Sequence, residues 1–67
     1  MLEVIVNGEN RSFSGSVSVS QLIQDMKLQG KRIAIEINGE IVPASQHASH
    51  LICNDDRIEI VGAIGGG

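Results

Sequence analysis

Residues 57–67 have the sequence RIEIVGAIGGG, and this stretch decides how the whole chain is interpreted. Its first half alternates between polar and apolar residues, with Ile58 and Ile60 on one side, which is typical of a strand with one buried face. Three consecutive glycines close it, Gly65, Gly66 and Gly67. Glycine loses more freedom on ordering than any other residue, so this run adds nothing to a folded core. Without a Cβ, however, it is narrow enough to enter a channel that would reject any side chain.

The carboxylate of Gly67 is therefore the candidate reactive group. If residues 62–67 are extended, they reach about 20 Å, which is enough to enter another protein's active site while the folded body stays outside. We expect one folded domain over residues 1–61 and a flexible tail over residues 62–67. Within that tail, a partner would recognise the residues before the carboxylate, Ile64, Gly65 and Gly66. A solvated terminus without a function is the alternative explanation, since chain ends are often disordered.

The composition excludes several classes of function. The chain has 67 residues, enough for one small domain, with one phenylalanine and no tryptophan or tyrosine. Its net charge of -3 argues against binding nucleic acid, which needs a basic surface, and favours a basic protein partner. The single cysteine, Cys53, cannot form an internal disulfide, and no apolar run is long enough to span a membrane. We therefore expect a protein of the cytoplasm, or of an organelle interior with its own protein synthesis.

The first half of the chain predicts a hairpin followed by a helix. Alternating apolar residues indicate two strands joined by a tight turn at Asn7-Gly8. Ser18 and Gln21 have the spacing of a capping box, which places the start of a helix at Ser18. We expect Gly30 to cap the carboxyl end of that helix, because glycine accepts the backbone conformation that ends helices.

The second half predicts three more strands. A period of two returns after the helix, and Asn38-Gly39 is the strongest hairpin signal in the chain. The returning strand stops at Pro43, a short helical turn follows within residues 44–51, and the last strand covers residues 57–61. The predicted order is β-β-α-β-β-(short helix)-β, with the long helix crossing one face of a mixed sheet.

This order, combined with a short body and a glycine end, resembles the β-grasp or ubiquitin-like fold, an α+β class in which one helix crosses a mixed sheet of about five strands. Three segments narrow the resemblance: INGEIVP at residues 37–43, DDRIEIV at residues 55–61 and IGGG at residues 64–67. The chain is similar over its whole length to the ThiS family, the sulfur carrier proteins of thiamine biosynthesis. Members of that family often end in a diglycine, where this chain has one glycine more.

The resemblance implies that an E1-like adenylating enzyme uses ATP to adenylate Gly67, and that a persulfide sulfur-transfer protein then converts this end to a thiocarboxylate. The sulfur would pass into thiazole formation, with thiazole synthase as a further partner. The chain would be a protein co-substrate rather than an enzyme, with no catalytic residues, no bound cofactor and no metal. The alternatives are a molybdopterin-type sulfur carrier, a ubiquitin-like modifier that forms an isopeptide with a lysine, and a non-covalent regulatory β-grasp module.

The strand pattern also predicts where a partner docks. The parity of the first and last strands puts Ile5 and Val61, together with Glu3 and Glu59, on the sheet face away from the helix. We expect Ile64 of the tail to join them. Apolar residues ringed by acids suit a basic protein surface.

The remaining polar residues are assigned structural roles. His47 and His50 could share one helical face, but two histidines with no further ligand at a fixed spacing are a weak metal signal. Asp55 and Asp56 are ordinary turn residues. Cys53 is expected to be a small, partly buried hydrophobe near the last turn.

Overall fold

The element order agrees with the sequence prediction. The structure, a computed structural model, describes residues 1–62 of the chain. Its elements are β1 (Leu2–Val6), β2 (Glu9–Phe13), α1 (Val19–Asp25), β3 (Ile33–Ile37), β4 (Glu40–Val42), a short 3-10 helix (Ala44–Gln46) and β5 (Arg57–Gly62). The last strand is one residue longer than predicted, because Gly62 still pairs with Ile33 of β3.

All five strands form one mixed sheet, in the order β2-β1-β5-β3-β4. The first and last strands of the chain, β1 and β5, lie side by side and run parallel. Every other pair in the sheet is antiparallel. The strand that leads into the carboxyl-terminal glycines therefore has a neighbour on each side and stands at the centre of the sheet.

Both hairpins turn on an asparagine followed by a glycine. Asn7 and Gly8 have φ angles of 51° and 84°, and Asn38 and Gly39 have φ angles of 53° and 88°. Positive φ at both central residues is typical of the type I′ turn, whose twist matches that of the flanking strands. Asparagine and glycine are the residues that adopt this conformation at the lowest cost, which explains the recurrence of the pair.

Helix α1 begins with the predicted capping box. The Ser18 hydroxyl accepts a hydrogen bond from the Gln21 N–H at 3.1 Å, and the Gln21 side chain accepts one from the Ser18 N–H at 2.8 Å. These bonds satisfy two backbone donors that a helix start otherwise leaves unpaired. Val17 and Leu22, which occupy the two positions of a hydrophobic staple around Ser18, are both buried.

The other end of α1 corrects the sequence prediction, because Gly30 does not cap it. The helix stops at Asp25, and Lys27 takes the left-handed conformation with φ 60°. The Lys27 N–H donates to the Gln24 carbonyl, and the Leu28 N–H donates to the Ile23 carbonyl, both at 2.9 Å. This pair of bonds is a Schellman motif, with a lysine where glycine is usual.

A single apolar core lies between the sheet and α1. Its buried residues come from every element except β2 and the 3-10 helix, and are Val4, Val6, Val17, Val19, Leu22, Ile23, Ile35, Ile37, Val42, Ile52 and Ile58. Phe13 packs against the core from β2. Branched aliphatic side chains therefore fill the core of this small domain, as the near absence of aromatic residues requires.

Candidate functional site

The candidate site begins where β5 ends. Gly62 is the last residue that the structure describes, and it pairs with Ile33 at the beginning of β3. A Cβ built on Gly62 meets no heavy atom within 4 Å, so nothing around this position requires a glycine. The predicted tail residues lie outside the described residues, and their roles stay predictions: Ile64, Gly65, Gly66 and Gly67.

Two asparagine side chains hold β5 in place from opposite sides. On the β1 side, the Ile60 N–H donates to Asn7 Oδ1 at 2.8 Å. On the β3 side, the Arg57 N–H donates to Asn38 Oδ1 at 3.0 Å. Each turn asparagine therefore does two things: it adopts positive φ in its own hairpin and pairs with a backbone group of the central strand.

A third asparagine joins the turn that precedes β5 to the backbone of β1. Asn54 Oδ1 accepts from the Glu3 N–H at 2.8 Å, and the Glu3 carbonyl accepts from the Asp55 N–H at 2.7 Å. The contact of β1 with β5 therefore continues into the turn before β5, beyond the two residue pairs of the parallel ladder. Side chains close this ladder at both of its ends.

Asp56 is a buried carboxylate whose role is structural. Its side chain is 9% exposed, and it accepts hydrogen bonds from Asn38 Nδ2 at 2.9 Å and from the Cys53 N–H at 2.8 Å. Burying a charge is costly unless donors surround it, and here one donor meets each oxygen. Asp56 therefore locks the β3–β4 hairpin onto the turn that precedes β5, as the prediction of a turn role implies.

The four predicted docking residues all lie on the sheet face away from α1, which we call the outer face. Val4 and Ile58 are buried under the helix, so their neighbours along the strands point the other way. Val61 is 49% exposed, Ile5 is half-buried, and Glu3 and Glu59 are exposed. The parity prediction is confirmed, whereas a docking role for these residues stays a prediction.

The register does not gather these four residues into one patch. Ile5 lies opposite Arg57, so Glu3 is level with the residue two before it, at position 55. Val61 is six positions further along, which at about 3.3 Å per residue separates the levels of Glu3 and Val61 by roughly 20 Å. Glu3 therefore lies at the end of the sheet remote from Gly62.

Two further residues belong to the outer face near Gly62, next to exposed Ala34, which lies opposite Val61. Glu36 lies directly opposite Glu59, and Ile41 lies opposite Glu36 on the other side. Ile41 is 61% exposed. We call Glu36, Ile41, Glu59 and Val61 the tail-proximal patch. The alternation of β3 and β4 carries this information, but the sheet order is needed to bring the strands together.

The tail-proximal patch holds two opposed carboxylates, with Arg57 next to them on the same face of β5. Two carboxylates directly opposite each other on neighbouring strands repel, which destabilises the sheet. Among residues 1–62 the one ion pair joins Arg11 and Asp25, at 3.3 Å, so neither Glu36 nor Glu59 has an ionic partner there. The patch thus combines exposed apolar side chains with acids, which is complementary to a basic protein surface.

The remaining polar residues with predicted structural roles do not form a reactive centre within residues 1–62. His47 Nε2 lies 3.0 Å from the Val42 carbonyl, to which it donates. Within the part of the chain that the structure describes, no group of three or more potential metal-binding side chains comes together.

Cys53 is exposed, so the prediction of partial burial is wrong: Ile52 points into the core, and its neighbour faces solvent. None of the helices within residues 1–62 has the length and apolar character that crossing a membrane requires.

The fold and the site define a class of protein: a small β-grasp domain whose central strand leads into a glycine-rich carboxyl-terminal segment. The ThiS family model matches residues 4–67. A crystal structure of the thiamine biosynthesis protein ThiS from Geobacter metallireducens superimposes with a TM-score of 0.84 and 26% identity, over 98% of this chain and 100% of that chain.

Two curated relatives agree with this result. The sulfur carrier protein ThiS of Escherichia coli K12 is 26% identical over 98% of this chain and all of its own length. The thiazole synthase of Paramagnetospirillum magneticum is 39% identical over 98% of this chain, but the chain spans only 20% of that protein's length. The chain belongs to the ThiS family of sulfur carrier proteins.

Proposed function

We propose that this protein carries sulfur for thiazole formation in thiamine biosynthesis, as a thiocarboxylate on Gly67. The observation that carries the proposal is the reach of the ThiS family match, which runs to residue 67 and so includes the glycines as well as the folded body. The position of β5 supports it, because a segment that starts from the centre of a sheet starts from a fixed point. The protein's own residues would present the reacting carboxylate, and partner enzymes would perform the chemistry.

The proposed reaction needs activation because a carboxylate is a poor electrophile. A Gly67 carboxylate oxygen would attack the α-phosphorus of ATP on an E1-like adenylating enzyme, forming an acyl-adenylate and releasing pyrophosphate. The terminal sulfur of a protein persulfide would then attack the acyl carbon, and AMP would leave. A second thiol would cleave the resulting S–S bond, which leaves the sulfur on Gly67 as a thiocarboxylate. ATP is a substrate of the partner, so the chain itself needs no cofactor.

The thiazole synthase relative supports the choice of pathway. One region of that protein is similar to nearly the whole of this chain, and the rest of its length is additional sequence. Two activities that occur in one polypeptide are held at a high local concentration, which is useful when one hands a group to the other. We therefore propose that thiazole synthase receives the sulfur, with the adenylating enzyme and a persulfide sulfur-transfer protein as the other partners.

The outer face is the proposed docking surface for these partners. Its tail-proximal patch, Glu36, Ile41, Glu59 and Val61, lies closest to the segment that must enter the partner's active site. A body that docks through this patch would hold Gly67 near the reacting groups, and such positioning replaces a bimolecular encounter by an effectively intramolecular one. Ile5 and Glu3 would extend the contact towards the far end of the sheet.

The test is the intact mass of the protein from thiamine-starved cells, measured for the wild-type chain and two glycine variants. The wild-type chain should show one oxygen replaced by sulfur. Gly66→Ala should abolish this product, because its methyl group would widen the segment that enters the partner's channel. Gly62→Ala is the matched control, since the structure leaves open space for its Cβ, and it should still be converted.

Three outcomes would contradict the proposal. A lysine-linked conjugate in place of the thiocarboxylate would indicate a protein modifier. If loss of the sulfur on Gly67 lowered the activity of molybdenum-cofactor enzymes and left thiamine synthesis intact, the protein would be a molybdopterin-type carrier. Full function after deletion of residues 66 and 67 would indicate a non-covalent regulatory module, in which the glycines play no chemical part.

A further inference from the structure

Near its end, β5 is held on the β1 side by a single side chain. The parallel ladder between β1 and β5 pairs Ile5 with Arg57 and Val6 with Ile58. The Asn7 N–H donates to the Ile58 carbonyl at 2.9 Å, and the chain then turns away into the β1–β2 hairpin. Beyond this point β1 offers no further backbone group to β5.

Asn7 supplies the missing partner with its side chain. Its Oδ1 accepts from the Ile60 N–H at 2.8 Å, which adds one rung to the ladder after the backbone of β1 has turned. After Ile60, the described part of β5 is held only from the β3 side, through the pairs of Val61 with Ala34 and Gly62 with Ile33. The Asn7 bond is thus the last contact that fixes β5 from both sides, and it lies two residues before Gly62.

We propose that Asn7 is a positioning residue for the carboxyl-terminal segment: its side chain fixes the point at which that segment leaves the sheet. This inference rests on the proposed function, because the position of the exit matters only if Gly67 reacts while the body is docked. Asparagine suits the task because one residue must combine positive φ with a side-chain acceptor.

The expected effect follows from the rung that would be lost. Without an acceptor at position 7, the end of β5 keeps a single neighbour, and a two-stranded arrangement is marginal in water. The end of β5 then moves back from Gly62 towards Ile58, and the number of residues after the end of the strand, up to and including Gly67, grows from five to nine. Because effective concentration falls with about the −3/2 power of length, this change alone lowers it roughly twofold.

Three variants separate positioning from general stability. Asn7→Gly keeps positive φ accessible and removes the acceptor. Asn7→Asp keeps both the turn and an acceptor oxygen, and should restore the wild-type behaviour. Asn54→Gly is the matched control, because it removes an Asn Oδ1 bond of the same 2.8 Å length, to the Glu3 N–H, at the opposite end of the same ladder.

The first measurement is amide hydrogen exchange of the whole chain. In Asn7→Gly, the Ile60 amide should exchange roughly fivefold faster relative to the core amide of Ile35, which corresponds to the loss of one hydrogen bond of about 1 kcal/mol. In Asn54→Gly, the ratio of the Ile60 to the Ile35 exchange rate should stay at its wild-type value. An unchanged Ile60 rate in Asn7→Gly would overturn the proposal.

The second measurement is ATP-dependent pyrophosphate release by the adenylating enzyme of the organism that encodes this chain. Asn7→Gly should lower kcat roughly two- to fivefold without raising KM, because the body still docks while the end of the chain reaches the reaction centre less often. Asn7→Asp should restore kcat, and Asn54→Gly should leave it unchanged. Loss of kcat in Asn54→Gly to the same extent, or a normal kcat in Asn7→Gly, would overturn the role of Asn7. If the wild-type chain itself supports no pyrophosphate release, the proposed function fails as well.

Discussion

Lys27 occupies a backbone conformation that costs free energy, so replacing it by glycine should stabilise the protein. Its φ of 60° is left-handed, which costs roughly 1–2 kcal/mol for a residue with a Cβ. Glycine removes this cost but adds about 0.5–1 kcal/mol of unfolded-state entropy. The side chain is exposed and packs against nothing in the core, so little else is lost. The net expectation for Lys27→Gly is a gain of about 0.7 kcal/mol in the free energy of unfolding.

For a domain of this size, the gain corresponds to a rise in Tm of about 3–6 °C. The assay is reversible thermal unfolding followed by far-ultraviolet circular dichroism, which suits a chain without tryptophan or tyrosine. Lys27→Ala is the control, because it removes the charge and keeps the Cβ, and its Tm should stay within about 2 °C of the wild-type value. A Tm for Lys27→Gly at or below that of Lys27→Ala would refute the reasoning, since it would mean that the left-handed conformation carries no cost here.

Two further predictions concern charged residues of the sheet. Glu36→Gln removes one of two opposed carboxylates, so it should raise the free energy of unfolding by about 0.5 kcal/mol at low salt. That gain should shrink in 1 M salt, where the Debye length is about 3 Å, and a gain independent of salt would contradict the electrostatic explanation. Asp56→Asn places an amide NH2 against a donor, either Asn38 Nδ2 or the Cys53 N–H, and should cost about 2 kcal/mol. Urea denaturation measures this decrease in the free energy of unfolding. A decrease below about 0.5 kcal/mol would show that the buried carboxylate is not needed to hold the β3–β4 hairpin against the turn before β5.

The order of the elements could be predicted because each of its signals is local. The capping box at Ser18 and the Asn-Gly turns act through bonds between residues a few positions apart, which sequence spacing displays directly. The same is true of the alternation that separates the core face from the outer face. These signals agree with one another along the chain, and such agreement is what specifies a single fold.

The end of α1 could not be predicted from spacing. Glycine is the usual residue at a left-handed cap, which favours Gly30, and Gly30 does have a positive φ of 80°. The helix nevertheless ends earlier, before Lys27, which adopts the unfavourable left-handed conformation. In this arrangement Leu28 packs against the core. Packing of the residue after the cap, rather than the preference of the cap residue itself, decides where this helix stops.

The asparagine side-chain hydrogen bonds around β5 could not be predicted, for a different reason. The bond between Asn7 and the Ile60 N–H joins residues 53 positions apart, and the bond between Asn54 and the Glu3 N–H joins residues 51 positions apart. No local pattern reports such a pair until the sheet order is known. The turn role of Asn7 was visible in the sequence, whereas its second role required the three-dimensional arrangement of the strands.

The placement of β5 has a consequence for how each new copy of the protein is made. Of the five strands within residues 1–62, β5, which lies between β1 and β3, is synthesised last, so residues 1–56 alone hold only two separate hairpins and the helices. Isolated hairpins are marginal in water, and long-range pairing closes slowly. The sheet therefore cannot close before residues 57–62 have been synthesised, and a polypeptide whose translation stops before residue 57 cannot close it. Such a fragment would stay unfolded, and unfolded chains are the ones that cellular proteases remove.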